Sequence, residues 1–224
     1  MKMAILWRLA ALLLLLPAAG VPAAPAPDEL IQSAAERLFD ALQAQRQRLK
    51  SEPQRGYAIV EEIILPHIDF RRIPRWVLGR YWRTASPEQR RRFAREFETF
   101  VIRTYTHAMV EFTDTILAYK DFVRFLPARV RPEEDEATVR SEIRHPEGGP
   151  PVPVSYHLHR DDETWRIYDI SIDGISLVAT YRSTFAARIR RDGLDALTDD
   201  LAARNRRPPQ SLIQKDGSIG VGGL

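Results

Sequence analysis

Two pairs of side chains in this sequence have residue types and spacing that could do chemistry. His157 and His159 lie two residues apart, so a strand would place both imidazoles on one face, where they could bind a metal ion together. No third histidine or carboxylate is paired with them by spacing, which favours two solvated histidines. His107 and Asp169 could form an acid/base pair inside a fold with a cavity, but structural roles are the better interpretation.

The motifs of common enzymes are missing from the sequence. It contains no GxSxG, HExxH, GxxxxGK(S/T) or GxGxxG pattern. It also has no cysteine, which excludes disulfides, thiol nucleophiles, cysteine-bound zinc and a lipid attached at an N-terminal cysteine. We therefore expect a protein that is not an enzyme, with no catalytic residues, no metal and no cofactor.

Clusters of like charge do not identify a partner. The acidic run Glu133–Glu136 lacks the spacing of a calcium loop and is typical of a solvated turn. The arginines at 71–72, 90–92 and 190–191 are interpreted as solvated helix faces. Because 33 basic residues face 30 acidic ones, the net charge of +3 gives no strong field, and no nucleic acid partner is expected.

Both ends of the chain differ in composition from its middle. Lys2 and Arg8 precede an apolar run over Leu9–Leu16, and small residues follow Pro17. This pattern predicts a secretory signal peptide over residues 1–23, cleaved near residues 20–24. The proline- and glycine-rich residues 206–224 are predicted to be a disordered tail, which leaves one folded domain over residues 28–205.

The elements that must position these side chains begin with helices. Apolar residues at three- and four-residue spacing predict a first helix capped by Asp28, a second over about 53–65 and a third from about residue 69. The sequence Ser86-Pro87-Glu88-Gln89 is a capping box that opens the longest helix. A last helix is predicted over about 181–204, bent near Gly193.

The long helix carries apolar residues on more than one face. One stripe contains Phe93, Phe97, Phe100, Thr104 and Ala108, and the next contains Ile102, Tyr105, Met109, Phe112 and Ile116. A helix that packs on one side needs a single stripe, so this helix either lies at the centre of the fold or also lines an internal space.

From about residue 121 the apolar period changes to two. Strands are predicted near 121–131, 136–145, 152–160 and 164–172, with a short run at 175–178, and turn residues separate them. Short turns suit an antiparallel meander. The fold class is therefore α+β, with helices packed against a curved antiparallel sheet of about four strands, in an NTF2-like arrangement that encloses an apolar cavity.

One stretch of the sequence resembles a known family. Residues 165–185 read WRIYDISIDGISLVATYRSTF, which is similar to the signature of the MlaC, or toluene-tolerance auxiliary, family. The likeness covers roughly residues 30 to 203, with Thr180 and Asp173 as departures from the usual asparagine and glutamate. Further positions that fit the same family are Asp69-Phe70, Leu78-Gly79, Trp82, Gln89, Phe93, Phe97, Thr104, Tyr105 and 152–156.

The resemblance implies a periplasmic carrier that holds the acyl chains of a phospholipid. Such a carrier is expected to exchange lipid with an inner-membrane Mla ABC transporter that has an MCE-domain subunit, and with an outer-membrane MlaA-type lipoprotein complex. This traffic would maintain the lipid asymmetry of the outer membrane. Arg182 matches the arginine of the family's Tyr-Arg pair and could bind a phosphate at the cavity mouth, cap the last helix or pair with Asp169.

Periodicity, independently of the family, suggests which residues face a cavity. The candidates share a position on the second stripe of the long helix or on the apolar face of the sheet. They are Tyr105, Met109, Phe112, Phe125, Val139, Ile143, Val154, Tyr156, Leu158, Trp165, Ile167, Ile175 and Leu177. Ordinary core packing explains each of them equally well.

Three other functions remain open from the sequence. A carrier of the same family could take a hopanoid or another apolar lipid. An NTF2-like enzyme could act on an apolar small molecule through His107 and Asp169. A periplasmic adaptor would have apolar faces that are filled core, with no ligand.

Overall fold

A computed structural model describes residues 25–128, 134–162 and 164–208. The predicted signal peptide, most of the predicted tail and Glu133 of the acidic run lie outside the described residues. The helices, in chain order, are α1 (Pro27–Ser51), α2 (Arg55–Ile63), α3 (Ile73–Leu78), α4 (Arg80–Thr84), α5 (Pro87–Glu111), α6 (Thr113–Ala118) and α7 (Leu177–Arg206). Short 3₁₀ turns lie at Leu65–His67 and Lys120–Phe122. Among the helices of these residues, none is both long enough and apolar enough to cross a membrane.

The predicted capping box is present at the start of α5. Ser86 Oγ accepts a hydrogen bond from the Gln89 amide at 3.1 Å, and Gln89 Oε1 accepts one from the Ser86 amide at 3.0 Å. Two amides that the helix leaves without partners are thereby satisfied. Asp28, in contrast, lies inside the first turn of α1 and accepts a hydrogen bond from the Ala128 amide, so its predicted capping role is wrong.

Removing the Ser86 hydroxyl should weaken the fold measurably. We expect Ser86→Ala to lower the free energy of unfolding by about 1 kcal/mol, the usual contribution of a helix cap. Urea denaturation of the two proteins measures this difference. Thr84→Ala, at an exposed position two residues before the cap, serves as the control, and equal losses in both variants would contradict a capping role for Ser86.

The ends of two helices differ from the sequence prediction. The long helix ends at Glu111 because Phe112 leaves helical geometry (φ −101°, ψ 19°), which separates α6 from it. The last helix starts at Leu177, earlier than predicted, because Ser176 Oγ accepts a hydrogen bond from the Ala179 amide and caps it there. Its predicted bend is confirmed at Gly193, whose φ of 86° is unfavourable for residues with a Cβ.

The sheet is an open antiparallel meander in the order β1-β2-β3-β4-β5. Its strands are β1 (Val123–Leu126), β2 (Glu136–Ile143), β3 (Val152–Asp161), β4 (Thr164–Ile172) and β5 (Ile175–Ser176). The predicted run at 175–178 therefore forms a two-residue fifth strand before α7 begins. Asp173 and Gly174 form the two-residue turn between β4 and β5, both with positive φ (51° and 77°), as a type I′ turn requires.

A β-bulge in β4 changes which side chains share a face. Asp169 lies opposite His157, but Ile167 lies opposite Leu158, so Tyr168 has no partner on β3. The extra residue shifts the alternation by one position. Ile170 therefore joins Ile167 on the inner face of the sheet, although the two are three positions apart in the chain.

Buried apolar side chains in the described residues form three clusters. The first joins α3, α5 and α7 and contains Phe93, Phe97 and Phe185, whose rings lie 5.6 to 6.0 Å apart. The second packs Leu30 and Ile31 of α1 against the sheet. The third joins α1, α2 and the end of α5. Because α5 contributes to the first cluster and is packed against the third, it is central in the fold, as one of the two sequence interpretations proposed.

Candidate functional site

An apolar cavity of about 390 Å³ lies between the helices and the inner face of β4. This volume is within the range of about 300 to 1,000 Å³ that is typical of sites for small ligands. Its wall combines residues from the long helices α1, α5 and α7, from the shorter helices α2 and α3 and the segment between them, and from β4. They are Leu38, Val60, Ile64, Leu65, Ile68, Phe70, Ile73, Phe97, Val101, Ile102, Tyr105, Thr106, Met109, Ile167, Tyr168, Asp169, Ile170, Ile172, Leu177, Val178 and Tyr181.

The α5 side of the cavity follows one helical stripe. Ile102, Tyr105 and Met109 recur at three- and four-residue spacing and all line the cavity. Phe97, on the neighbouring stripe, belongs both to the cavity wall and to the first core cluster. The second stripe of α5 therefore lines an internal space, and the first stripe packs the core behind it.

Apart from Asp169, the polar side chains on the wall are uncharged phenols and a hydroxyl. The hydroxyls of Tyr105 and Tyr181 lie 3.5 Å apart. Burial raises the pKa of both phenols, so they stay protonated at neutral pH. Thr106 is 1% exposed, and its hydroxyl has no hydrogen-bond partner in the described part of the chain.

Asp169 is the one carboxylate that lines this cavity among the described residues, and both of its oxygens already accept hydrogen bonds within the protein. One oxygen accepts hydrogen bonds from the amides of Ile170 and Val178, at 2.9 and 3.0 Å, and the other accepts one from Ser176 Oγ at 2.5 Å. These bonds tie β4 to the first turn of α7, where a carboxylate is favoured by the helix dipole. Asp169 therefore acts as a structural anchor.

His107 and Asp169 each have other partners. His107 Nε2 lies 3.8 Å from a Glu111 carboxylate oxygen on the next turn of α5. This arrangement does not supply the acid/base pair that an enzyme acting in the cavity would need.

The two strand histidines have different environments. His157 bonds with the hydroxyls of Thr138 and Ser171, each at 3.3 Å. His159 is buried, and its Nε2 donates to Asp69 Oδ2 at 2.5 Å, so the prediction that it is solvated is wrong. Across residues 25–128, 134–162 and 164–208, no group of three potential metal-ligating histidine or carboxylate side chains occurs.

A second, polar recess of about 350 Å³ adjoins the apolar cavity. Leu65, Ile68 and Phe70 belong to the walls of both. The remaining wall residues of the recess are charged: Asp69, Arg71, Glu98 and Arg166. A water-accessible, charged space thus meets the apolar one along a shared edge.

Four of the predicted cavity residues lie on the cavity wall: Tyr105, Met109, Ile167 and Leu177. Another group lies in or against the second core cluster, where α1 covers the sheet: Phe125, Val139, Tyr156, Leu158 and Trp165. Contact of any of these residues with lipid stays a prediction.

The other predicted residues lie at the margins of the sheet and helices. Val154 is buried between Ser141 and Ile172, and Ile143 is half-buried at the end of β2. Phe112 lies at the junction of α5 and α6, and Ile175 is 64% exposed. Arg182 Nε donates to the Trp76 carbonyl oxygen at 2.6 Å and so joins α7 to α3, a role that none of the three sequence alternatives described.

Sequence reasoning missed the wall that comes from the segment between α2 and α3, including Leu65, Ile68 and Phe70. No simple period covers this segment, because a 3₁₀ turn and a loop build it. The contribution of Ile170 had no signal either, because in a regular strand it would face away from Ile167, and only the bulge at Tyr168 brings both to one face.

Helices on an open antiparallel sheet, around a cavity whose wall is almost entirely apolar, are the architecture of a binding protein for an apolar ligand. The family model described as MlaC protein matches residues 32–203, and the chain belongs to this family.

Curated relatives and a solved structure are consistent with this. The chain is 22% identical over 184 residues to the intermembrane phospholipid transport system binding protein MlaC of Haemophilus influenzae, covering 81% of this chain and 83% of that protein. It is 27% identical over 174 residues to the toluene tolerance protein ttg2D of Pseudomonas putida, with 77% of each covered. A phospholipid-binding protein from Ralstonia solanacearum, solved in complex with a phospholipid, aligns with a TM-score of 0.66 at 26% identity, covering 81% of this chain and 97% of that one.

Proposed function

We propose that this protein is a phospholipid carrier whose cavity holds acyl chains. The observation that carries the proposal is the continuous apolar wall formed by α5, β4 and the segment between α2 and α3. Membership of the MlaC family, and the phospholipid bound to the related Ralstonia solanacearum protein, support the same ligand class.

The free energies of transfer require such an enclosure. Exposing two acyl chains, roughly 30 methylenes in total, to water would cost on the order of 25 kcal/mol at about 0.8 kcal/mol per methylene. Moving them from a bilayer into an apolar cavity exchanges one dry environment for another. The transfer can therefore be close to neutral, and the carrier itself needs no energy source.

The carrier is further proposed to work in the periplasm, between the outer and inner membranes. The signal-peptide pattern in residues 1–23 supports export. Lipid asymmetry of the outer membrane would then depend on two exchange partners, an inner-membrane ABC transporter with an MCE-domain subunit and an outer-membrane MlaA-type lipoprotein complex. The relative named as part of an intermembrane phospholipid transport system supports this arrangement.

The geometry of the cavity favours a carrier over an enzyme. The cavity wall holds one carboxylate, which is occupied as the anchor of α7, and the imidazole of His107 approaches Glu111. Neither group is available as the general acid or base of an enzyme in this arrangement.

Lipid extraction tests the proposal. We expect the full chain, expressed with its N-terminal segment in a bacterium and purified after export, to contain near-stoichiometric phospholipid by organic extraction and mass spectrometry. An unrelated exported protein, purified in the same way, controls for carried-over membrane. A protein that is free of phospholipid when purified both from this host and from its native organism would contradict the proposal, and a hopanoid in its place would change the ligand class.

A further inference from the structure

The polar recess lies where the lining stripe of α5 ends. Glu98 precedes Ile102, Tyr105 and Met109 at the same three- and four-residue spacing, so it continues their stripe by one turn toward the start of the helix. A ligand that lies along this stripe therefore passes from an apolar wall directly to a carboxylate.

Glu98 has no counter-ion among residues 25–128, 134–162 and 164–208. Its side chain is half-buried and takes part in no hydrogen bond or ion pair in the described residues. Burial without a cationic partner raises the pKa of this carboxyl above its ordinary value. A cation supplied from outside would compensate that cost of burial.

The other charges of the recess leave a positive excess near the loop that precedes α3. Arg71 and Arg166 both pair with the single carboxylate of Asp161, Arg166 through Nε at 3.0 Å. Asp69 is already engaged by His159 and by the amides of Arg71 and Arg72. Two guanidinium groups thus share the single carboxylate of Asp161. The pair of arginines therefore carries one positive charge that an anionic group from outside could balance.

We propose that the recess binds the headgroup of a zwitterionic lipid, with the ammonium on Glu98 and the phosphate beside Arg71 and Arg166. This inference rests on the proposed carrier function and names the lipid class within it. The recess and the cavity share Leu65, Ile68 and Phe70, so one molecule can occupy both. A few placed polar groups at the edge of an apolar site are what fixes the orientation and selectivity of a ligand.

A competition between headgroups tests the inference. The full-length mature protein is stripped of lipid, incubated with vesicles of equal phosphatidylethanolamine and phosphatidylglycerol, recovered and analysed by mass spectrometry. We expect phosphatidylethanolamine to be enriched roughly tenfold, the magnitude of one charge-assisted hydrogen bond. Glu98→Gln should bring the ratio back to that of the vesicles.

The matched control is Glu61→Gln, which removes the same charge from an exposed position of α2 outside both walls. It should keep the wild-type ratio. Equal uptake of the two lipids by the wild type, or a preference that survives Glu98→Gln, would overturn the inference. If Glu98→Gln leaves the ratio of the two lipids unchanged but slows lipid transfer to acceptor vesicles, Glu98 contacts the membrane and not the headgroup. Uptake of neither lipid would contradict the carrier function itself and this inference with it.

Discussion

Ile102→Asp should empty the cavity of lipid while the protein stays folded. Ile102 lines the cavity but belongs to none of the three core clusters, so the change removes little packing. A carboxylate facing acyl chains loses its hydration without gaining a partner, which costs several kcal/mol. Since each 1.4 kcal/mol is a factor of ten, we expect affinity for phospholipid to fall by about 100-fold or more.

The measurement is the lipid-to-protein ratio after purification, with circular dichroism and urea denaturation as checks of folding. Ile102→Leu is the matched control, because it keeps an apolar side chain of equal size at the same position and should keep its lipid. Ile102→Asp should lower the free energy of unfolding by about 1 kcal/mol, because aspartate has a lower helix propensity than isoleucine and is repelled by Glu98 one turn away. A folded Ile102→Asp protein with a full lipid load would contradict the assignment of the cavity as the lipid site.

Much of the fold follows from local sequence signals. The capping box at Ser86, the turn at Asp173-Gly174 and the bend at Gly193 each depend on interactions within a few residues, so the sequence alone is enough to predict them. The early start of α7 combines a local cap by Ser176 with a tertiary contact, since Asp169 reaches the Val178 amide from a different strand.

The cavity wall was harder to predict than the fold, for a physical reason. Periodicity identifies the apolar face of an element but not whether another element covers it. Leu158 and Ile167 lie opposite each other on the inner face of the sheet, yet Leu158 is 0% exposed beneath α1 while Ile167 borders the cavity. A charge at Leu158 would therefore test core packing and not lipid binding, whereas Ile102 separates the two.

The wall that sequence reasoning missed depends on one buried pair. Asp69 accepts hydrogen bonds from the amides of Arg71 and Arg72 through one oxygen and from His159 through the other. The Asp69 amide also donates to the Ile167 carbonyl oxygen at 2.9 Å, at the bulge of β4. The segment that carries Leu65, Ile68 and Phe70 is thereby fixed to the sheet, and it forms the wall shared by the cavity and the recess.

Asp69→Ala should be strongly destabilising for this reason. His159 Nδ1 lies 3.0 Å from the Arg160 carbonyl oxygen, so both ring nitrogens face oxygen atoms of the fold. Removing the carboxylate leaves that buried ring and two amides without their partner, which typically costs about 3 to 5 kcal/mol.

Urea denaturation of the lipid-free proteins measures the effect of Asp69→Ala on the free energy of unfolding. Asp69→Asn keeps one acceptor oxygen for the two amides but places an uncharged NH₂ donor opposite His159 Nε2, so its loss should be intermediate. Asp121→Ala, at an exposed position of the 3₁₀ turn Lys120–Phe122, should be close to neutral and controls for the loss of an aspartate. If Asp69→Ala lowers the free energy of unfolding no more than Asp121→Ala does, the pair does not hold the wall. If the loss is large, the segment that forms the wall shared by the cavity and the recess is fixed by a polar contact outside the cavity, and the cavity side of this segment stays apolar.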